Sequence, residues 1–230
     1  MVNPCPGFAN FEDSRTTLRR IEMTPIEIGV LTSAGAAGVI HTLIGPDHTI
    51  PFIALAKIHH WTWKKAVAIT AACGVAHVGI AWFIGMGLIR LSASPAAWAK
   101  TLAFQSQGAA WGLILFGALY LVWGLRAAFR RKETQTPGTT GAWVLFLLFV
   151  FGPCESLLPF LATAQAAGRP ALIPLMTLVF GAATIGTMVT GVLLGVGALS
   201  KVKGLSGRWS PALSGGAILL SGLAVKFAGL

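Results

Sequence analysis

The chain has 230 residues, 55% of them hydrophobic and 10% charged, with a mean hydropathy of +0.75. Soluble domains carry roughly a quarter charged residues, so this composition excludes an ordinary soluble core and points to a polytopic protein whose partner is the lipid bilayer. The net charge of +10 does not signal nucleic acid, because the basic residues are scattered over loops between apolar runs, as membrane proteins distribute them.

Residues 1–25 form a polar N-terminal tail with no apolar segment. No cleavable signal peptide is expected, so the first span directs its own insertion. A helix crosses the hydrocarbon layer with about 20 mostly apolar residues. On that rule six spans are predicted, at 27–56, 66–90, 108–128, 142–165, 171–199 and 211–229. The expected fold is an all-α membrane protein, with residues 26–129 and 142–230 as two three-helix halves and 130–141 as the linker between them. The 28 glycines suit close packing of helices in lipid.

The first span is interrupted. "HTLIGPDHTIPF" sets His41, Asp47 and His48 around Gly45-Pro46. Proline cannot continue the helix ladder and glycine can adopt the angles that end it, so a break is expected there. In the second span "CGVAH" sets Cys73 and His77 four residues apart, on one helix face. Gln105, Ser106 and Gln107 precede the third span, as loop or helix-start residues. The fourth span repeats the theme: "GPCESLLPFLA" from Gly152 parallels "GPDHTIPFIA" from Gly45, one residue longer, with Gly152-Pro153 as its break and Cys154-Glu155 behind it. An odd number of spans per half makes such a repeat inverted, the architecture of many secondary transporters with broken helices near the midplane.

Orientation follows from charge. The loops after spans one, three and five hold ten basic residues and the other face six, which predicts the first set as cytoplasmic and both termini outside an inner, plasma-type membrane.

An aspartate in the middle of a membrane helix costs about 2.5–3.5 kcal/mol, so such groups usually have a partner or line a pathway. His41, Asp47, His48, His77, Cys154 and Glu155 together form a ligand set for a borderline metal such as nickel, cobalt or zinc, with Cys73 a further candidate for metal or redox chemistry. Other readings stand beside it. Asp47 and Glu155 each follow a proline that suits the first position of a half-helix, where an acid meets the helix dipole and needs no ligand. Cys73 and Cys154 suit small buried hydrophobes, and His77 an interhelical hydrogen bond. His59, His60 and Lys57 suit a solvated interfacial patch. No phosphate loop, nucleophile elbow or Cys-x-x-Cys occurs, so no enzyme and no tightly bound cofactor is expected.

At these residues the chain resembles the nickel/cobalt permease and UreH-like group of the LysE-type transporter superfamily. That group is marked by a first-span motif of His, four residues, then Asp-His, with a further His in the next span. His41, Asp47 and His48 match the first motif, although five residues separate His41 from Asp47, and His77 matches the second. The resemblance implies secondary transport of nickel or cobalt by alternating access, with proton coupling as an extension. The chain also resembles the transmembrane thiol carriers of the CcdA and DsbD type, through Pro153-Cys154 at the second break. That likeness implies electron transfer between Cys154 and another membrane cysteine. A third class, an accessory subunit of a larger membrane complex, stays open, as does self-association.

Overall fold

The computed structural model describes residues 23–130, 156–201 and 209–228, together with Trp143, Phe146 and Cys154. The tail before Met23, the linker from Arg131, and Gly152, Pro153 and Glu155 of the second break lie outside the described residues. The elements, among the described residues all helical, are α1 (Pro25–Ile44), a 3-10 turn (Pro46–His48), α2 (Ile50–Ile58), α3 (Trp63–Arg90), α4 (Pro95–Phe129), α5 (Leu158–Ala166), α6 (Leu172–Lys201) and α7 (Ser210–Ala228).

Five of them, α1, α3, α4, α6 and α7, are long and apolar enough to cross a bilayer, the mark of a multi-pass membrane protein. Between 22% and 39% of each apolar stretch is buried within the chain, so most of this apolar surface faces outward. Phe83, Phe104 and Leu220 stand exposed on it.

Local chemistry sets the helix ends. Thr24 and Glu27 form a capping box, in which the Glu27 N–H donates to the Thr24 hydroxyl at 3.3 Å and the Thr24 N–H donates to Glu27 Oε2 at 2.8 Å. Thr62 and Ser94 accept from the N–H three residues on, starting α3 and α4. The start of α4 corrects the sequence reading. Ser94-Pro95 is a cap followed by an N1 proline, so the helix begins there and takes in Gln105, Ser106 and Gln107 rather than following them.

Both short helices have nine residues and end alike. Trp61 N–H donates to Ala56 C=O across a left-handed His60 (φ 49°), and Arg169 N–H donates to Ala164 C=O across a left-handed Gly168 (φ 67°). A non-glycine residue at the first site is strained, whereas glycine adopts this angle without penalty.

Glycines set the helix pairs. The first span runs parallel to α6 over its whole length. Glu27 pairs with Arg169 at one end, and Lys57 Nζ donates to the Leu199 carbonyl at 3.2 Å at the other. Between these, a Cβ on Gly38 would come within 2.8 Å of Phe180 O, one on Gly191 within 2.9 Å of Thr49, and one on Gly195 within 2.2 Å of Ile53. Helix α3 crosses α6 antiparallel, with Gly74 against Ile185 and Gly181 against Val78, and its Gly85 receives Leu161 of α5. Helices α4 and α7 approach backbone to backbone: Cβ atoms on Gly117, Gly124 and Gly215 would lie 2.3–2.4 Å from the N atoms of Leu219, Ala212 and Leu121. Gly222 meets Ile114 in the same way. With no apolar driving force between helices in lipid, such close approach supplies the dispersion contact that holds pairs together.

Two apolar clusters fill the interior. One gathers Phe52, Leu55, Cys73, Met188 and Ile218, the other Ala34, Cys154, Leu157, Leu161 and Phe180.

Candidate metal centre

The first span breaks where the sequence places Gly45-Pro46. Helix α1 ends at Ile44, the Gly45 N–H donates to the His41 carbonyl at 2.9 Å, Pro46 opens the 3-10 turn, and α2 starts after Thr49. Gly45 lies at φ −75°, an angle open to any residue, so its backbone freedom is not what the turn needs. What matters is the missing side chain. A Cβ there would lie 2.6 Å from His48 Nδ1, 2.8 Å from Asp47 Oδ1 and 3.0 Å from the His41 carbonyl oxygen.

The break has a geometric product. On an unbroken helix two residues seven apart are separated by about 10.5 Å of rise. Here the rings of His41 and His48 stand with centroids 4.4 Å apart, edge to face. His77, on the buried stripe of α3, brings its ring to 5.5 Å from that of His48, again edge to face. One ligand nitrogen from each of the three histidines lies within 4.8 Å of the other two. Nitrogens bound to a single ion at about 2.0–2.1 Å lie at most about 4.2 Å apart, so a small closure of the rings completes a three-nitrogen set.

Asp47 enters through His48. His48 Nδ1 lies 3.0 Å from Asp47 Oδ1, and with Nδ1–H donating to that carboxylate a neutral ring would offer Nε2 as its ligand nitrogen. A carboxylate behind an imidazole fixes its tautomer and raises its basicity, as behind the histidine ligands of metal sites. His48 and His77 are buried, and Asp47 keeps 22% of its side chain exposed. Nε2 of His41 is buried with no hydrogen-bond partner. Asp47 lies in the first turn of the 3-10 element, which has no side-chain cap hydrogen bond.

The described cysteine candidates join the apolar clusters. Cys73 belongs to the first apolar cluster and Cys154 to the second, and neither is among the three gathered nitrogens. Glu155 lies outside the described residues. His59 is half-buried rather than solvated. Its ring stacks on Trp61 at 6.0 Å, Lys65 sits over the same indole, and burial with the nearby Lys65 and His60 charges holds its pKa below the usual imidazole value.

Sequence inspection missed two groups. Of the nine threonines inside the described helices, seven donate their hydroxyl to a carbonyl one turn back. Thr70 and Thr184 do not, although both are fully buried. Nothing in a helical sequence distinguishes a threonine that bonds its own helix from one that does not. Comparison of the chain with protein-family models, with curated proteins and with solved structures finds no match.

Proposed function

We propose that this chain is a secondary transporter of a divalent transition-metal cation, with His41, His48 and His77 as its ion-binding set. The observation that carries the reading is the convergence of three imidazole nitrogens at a helix break inside an otherwise apolar chain. Neutral nitrogen donors suit nickel, cobalt and zinc, and exclude a site built for magnesium or calcium, which take oxygen. The His-x5-Asp-His arrangement resembles the nickel/cobalt permease motif but is one residue longer, so the uptake assay decides which ion of this class is carried. Binding needs neutral histidines, so protons compete with the ion, and uptake falls on acidification.

The reading includes six crossings in two inverted halves, in an inner membrane with both termini outside. Three features support it. The first span runs parallel to α6, and α3 and α6 run antiparallel. Helix α5 matches α2 in length, in its Pro-Phe start and in its left-handed ending, and its Leu161 fills Gly85 as Ile53 fills Gly195. In the α4–α7 pair, exchanging Gly117 with Gly215 and Gly124 with Gly222 also exchanges the residues they meet, as an internal two-fold requires. Rocking of one half against the other about the breaks would open the site to each side in turn.

The thiol-carrier reading gains no support, since Cys73 and Cys154 sit in separate apolar clusters. The ion reading is tested by cobalt titration of the purified protein and by nickel and cobalt uptake into proteoliposomes. His41→Ala, His48→Ala and His77→Ala should each abolish binding. Asp47→Asn should keep the site but weaken it about 10–100-fold, as expected for a group acting through a ligand. Absence of cobalt and nickel binding by the intact protein would falsify the proposal.

A further inference from the structure

Thr184 stands near the level of the histidines and Thr70 two turns to one side of His77. Their heights follow from the helix contacts. Gly74 faces Ile185 and Val78 faces Gly181, which sets His77 opposite Ala182 and within one turn of Thr184 where α3 crosses α6. A Cβ on Gly38, one turn before Thr42, would lie 2.9 Å from Thr184 Oγ1, which sets that hydroxyl beside the end of α1 that carries His41. Thr70 shares the buried stripe of α3 with Cys73, Gly74 and His77, two turns before His77. The same register sets Thr70 opposite Val189, within one turn of Gly191, against which Thr49, the residue after His48, is packed.

Both hydroxyls are fully buried and have no hydrogen-bond partner among the described residues, while the seven other threonines of the described helices bond their own helix. Leaving such a group unpaired in a dry interior is unfavourable, and the usual back-bond would have relieved it. Three imidazoles also leave a four- to six-coordinate cation short of one to three ligands, which water supplies. In an apolar interior those waters need partners of their own. A hydroxyl oxygen that does not serve its helix is such a partner.

We propose that Thr184 and Thr70 are oxygen stations on the ion's path, accepting hydrogen bonds from the water that the cation keeps at the histidines. Thr184 acts near the level of His41 and His77, and Thr70 on the side toward α2. This inference rests on the metal-transport reading and adds a residue of the second half to a site whose nitrogens all come from the first.

The test uses Thr184→Val and Thr70→Val, which keep shape and remove the hydroxyl, with Thr184→Ser and Thr70→Ser as conservative controls. Melting in detergent, the visible spectrum of bound cobalt and the initial uptake rate are measured on each. The valine variants should melt no lower than the wild type, because an unpaired buried hydroxyl has been removed. They should still bind cobalt through the histidines with an altered spectrum, and transport about tenfold more slowly, the worth of one hydrogen bond in a dry site. The serine variants should transport normally. Valine variants with wild-type uptake and spectrum overturn the inference. So do valine variants whose lost uptake follows a lower melting temperature, because the hydroxyls would then be structural. A wild-type protein that binds no cobalt sinks the transport reading itself, a result distinct from both.

Discussion

Gly45 is the residue on which the centre turns. Alanine has no difficulty with its backbone angle, yet the added methyl would lie 2.6 Å from the His48 nitrogen that binds Asp47. Both neighbours are short side chains on a tight turn, so relief requires moving the pair itself. Overpacking of this kind costs about 1–3 kcal/mol. Gly45→Ala should therefore insert but melt about 2–12 °C lower than wild type, and bind cobalt about tenfold more weakly, as a titration would register. Unchanged affinity would mean that the Asp47–His48 contact does not tune the site. Part of this was legible in the sequence. Gly-Pro inside an apolar run marks a helix break, and histidines beside a carboxylate suggest ligands. The approach of His41 to His48 was not legible, because residues seven apart share a helix face only when the helix is continuous, and the rotation within a 3-10 turn depends on what surrounds it. Nor was the reason for Gly45, which concerns space occupied by its neighbours rather than its own backbone.

At the scale of elements, helix pairing rests on glycine, and the glycines are not equivalent. On Gly195 a methyl meets the tip of Ile53, a side chain that can move or be shortened. On Gly124 it meets the backbone of Pro211 and Ala212, which cannot move without separating α4 from α7. Gly124→Ala should therefore lower the melting temperature more than Gly195→Ala. Ile53→Ala should rescue Gly195→Ala with a coupling of about 0.5–3 kcal/mol in a double-mutant cycle, a rescue with no counterpart at Gly124. Equal losses at the two positions would show that backbone approach in the α4–α7 pair is not limiting. Five of the six expected spans correspond to long apolar helices, and α6 and α7 fall within two residues of their expected bounds, while much of the expected span 142–165 lies outside the described residues. The start of α4 was misjudged because its first turns are not strongly apolar; the signal lay in the Ser94-Pro95 cap, which says where a helix begins but not how deep it sits. Pairing was invisible, since 28 glycines in one chain do not declare their partners.

For the whole molecule, the parallel run of the first span and α6 constrains how often the chain crosses. An even number of crossings leaves both ends on one face. With Cys5 replaced by serine, single cysteines at Ser14 and Gly229 should react with an impermeant thiol reagent from the same side of the membrane, and one at Thr136 from the other. Labelling of Ser14 and Gly229 from opposite faces would require an odd number and remove the inverted-repeat architecture. Composition alone identified the class of molecule, because few charges and long apolar runs leave only the bilayer as solvent. The sense of the halves was suggested by two short matching strings, one of which lies partly outside the described residues.

The pairing of the first span with α6 also has a consequence in time. Glu27 and Lys57 each find their partner 142 residues later in the chain. At about 5–20 residues per second of synthesis, α1 waits roughly 7–28 s for its neighbour to emerge. During that interval the glycine seam of α1 is uncovered, while His41, His48 and His77 have all been made. The nascent chain thus owns a complete set of imidazoles before it owns the scaffold that holds them. A ribosome-bound fragment ending in the linker accordingly carries all three histidines without the α6 against which α1 packs.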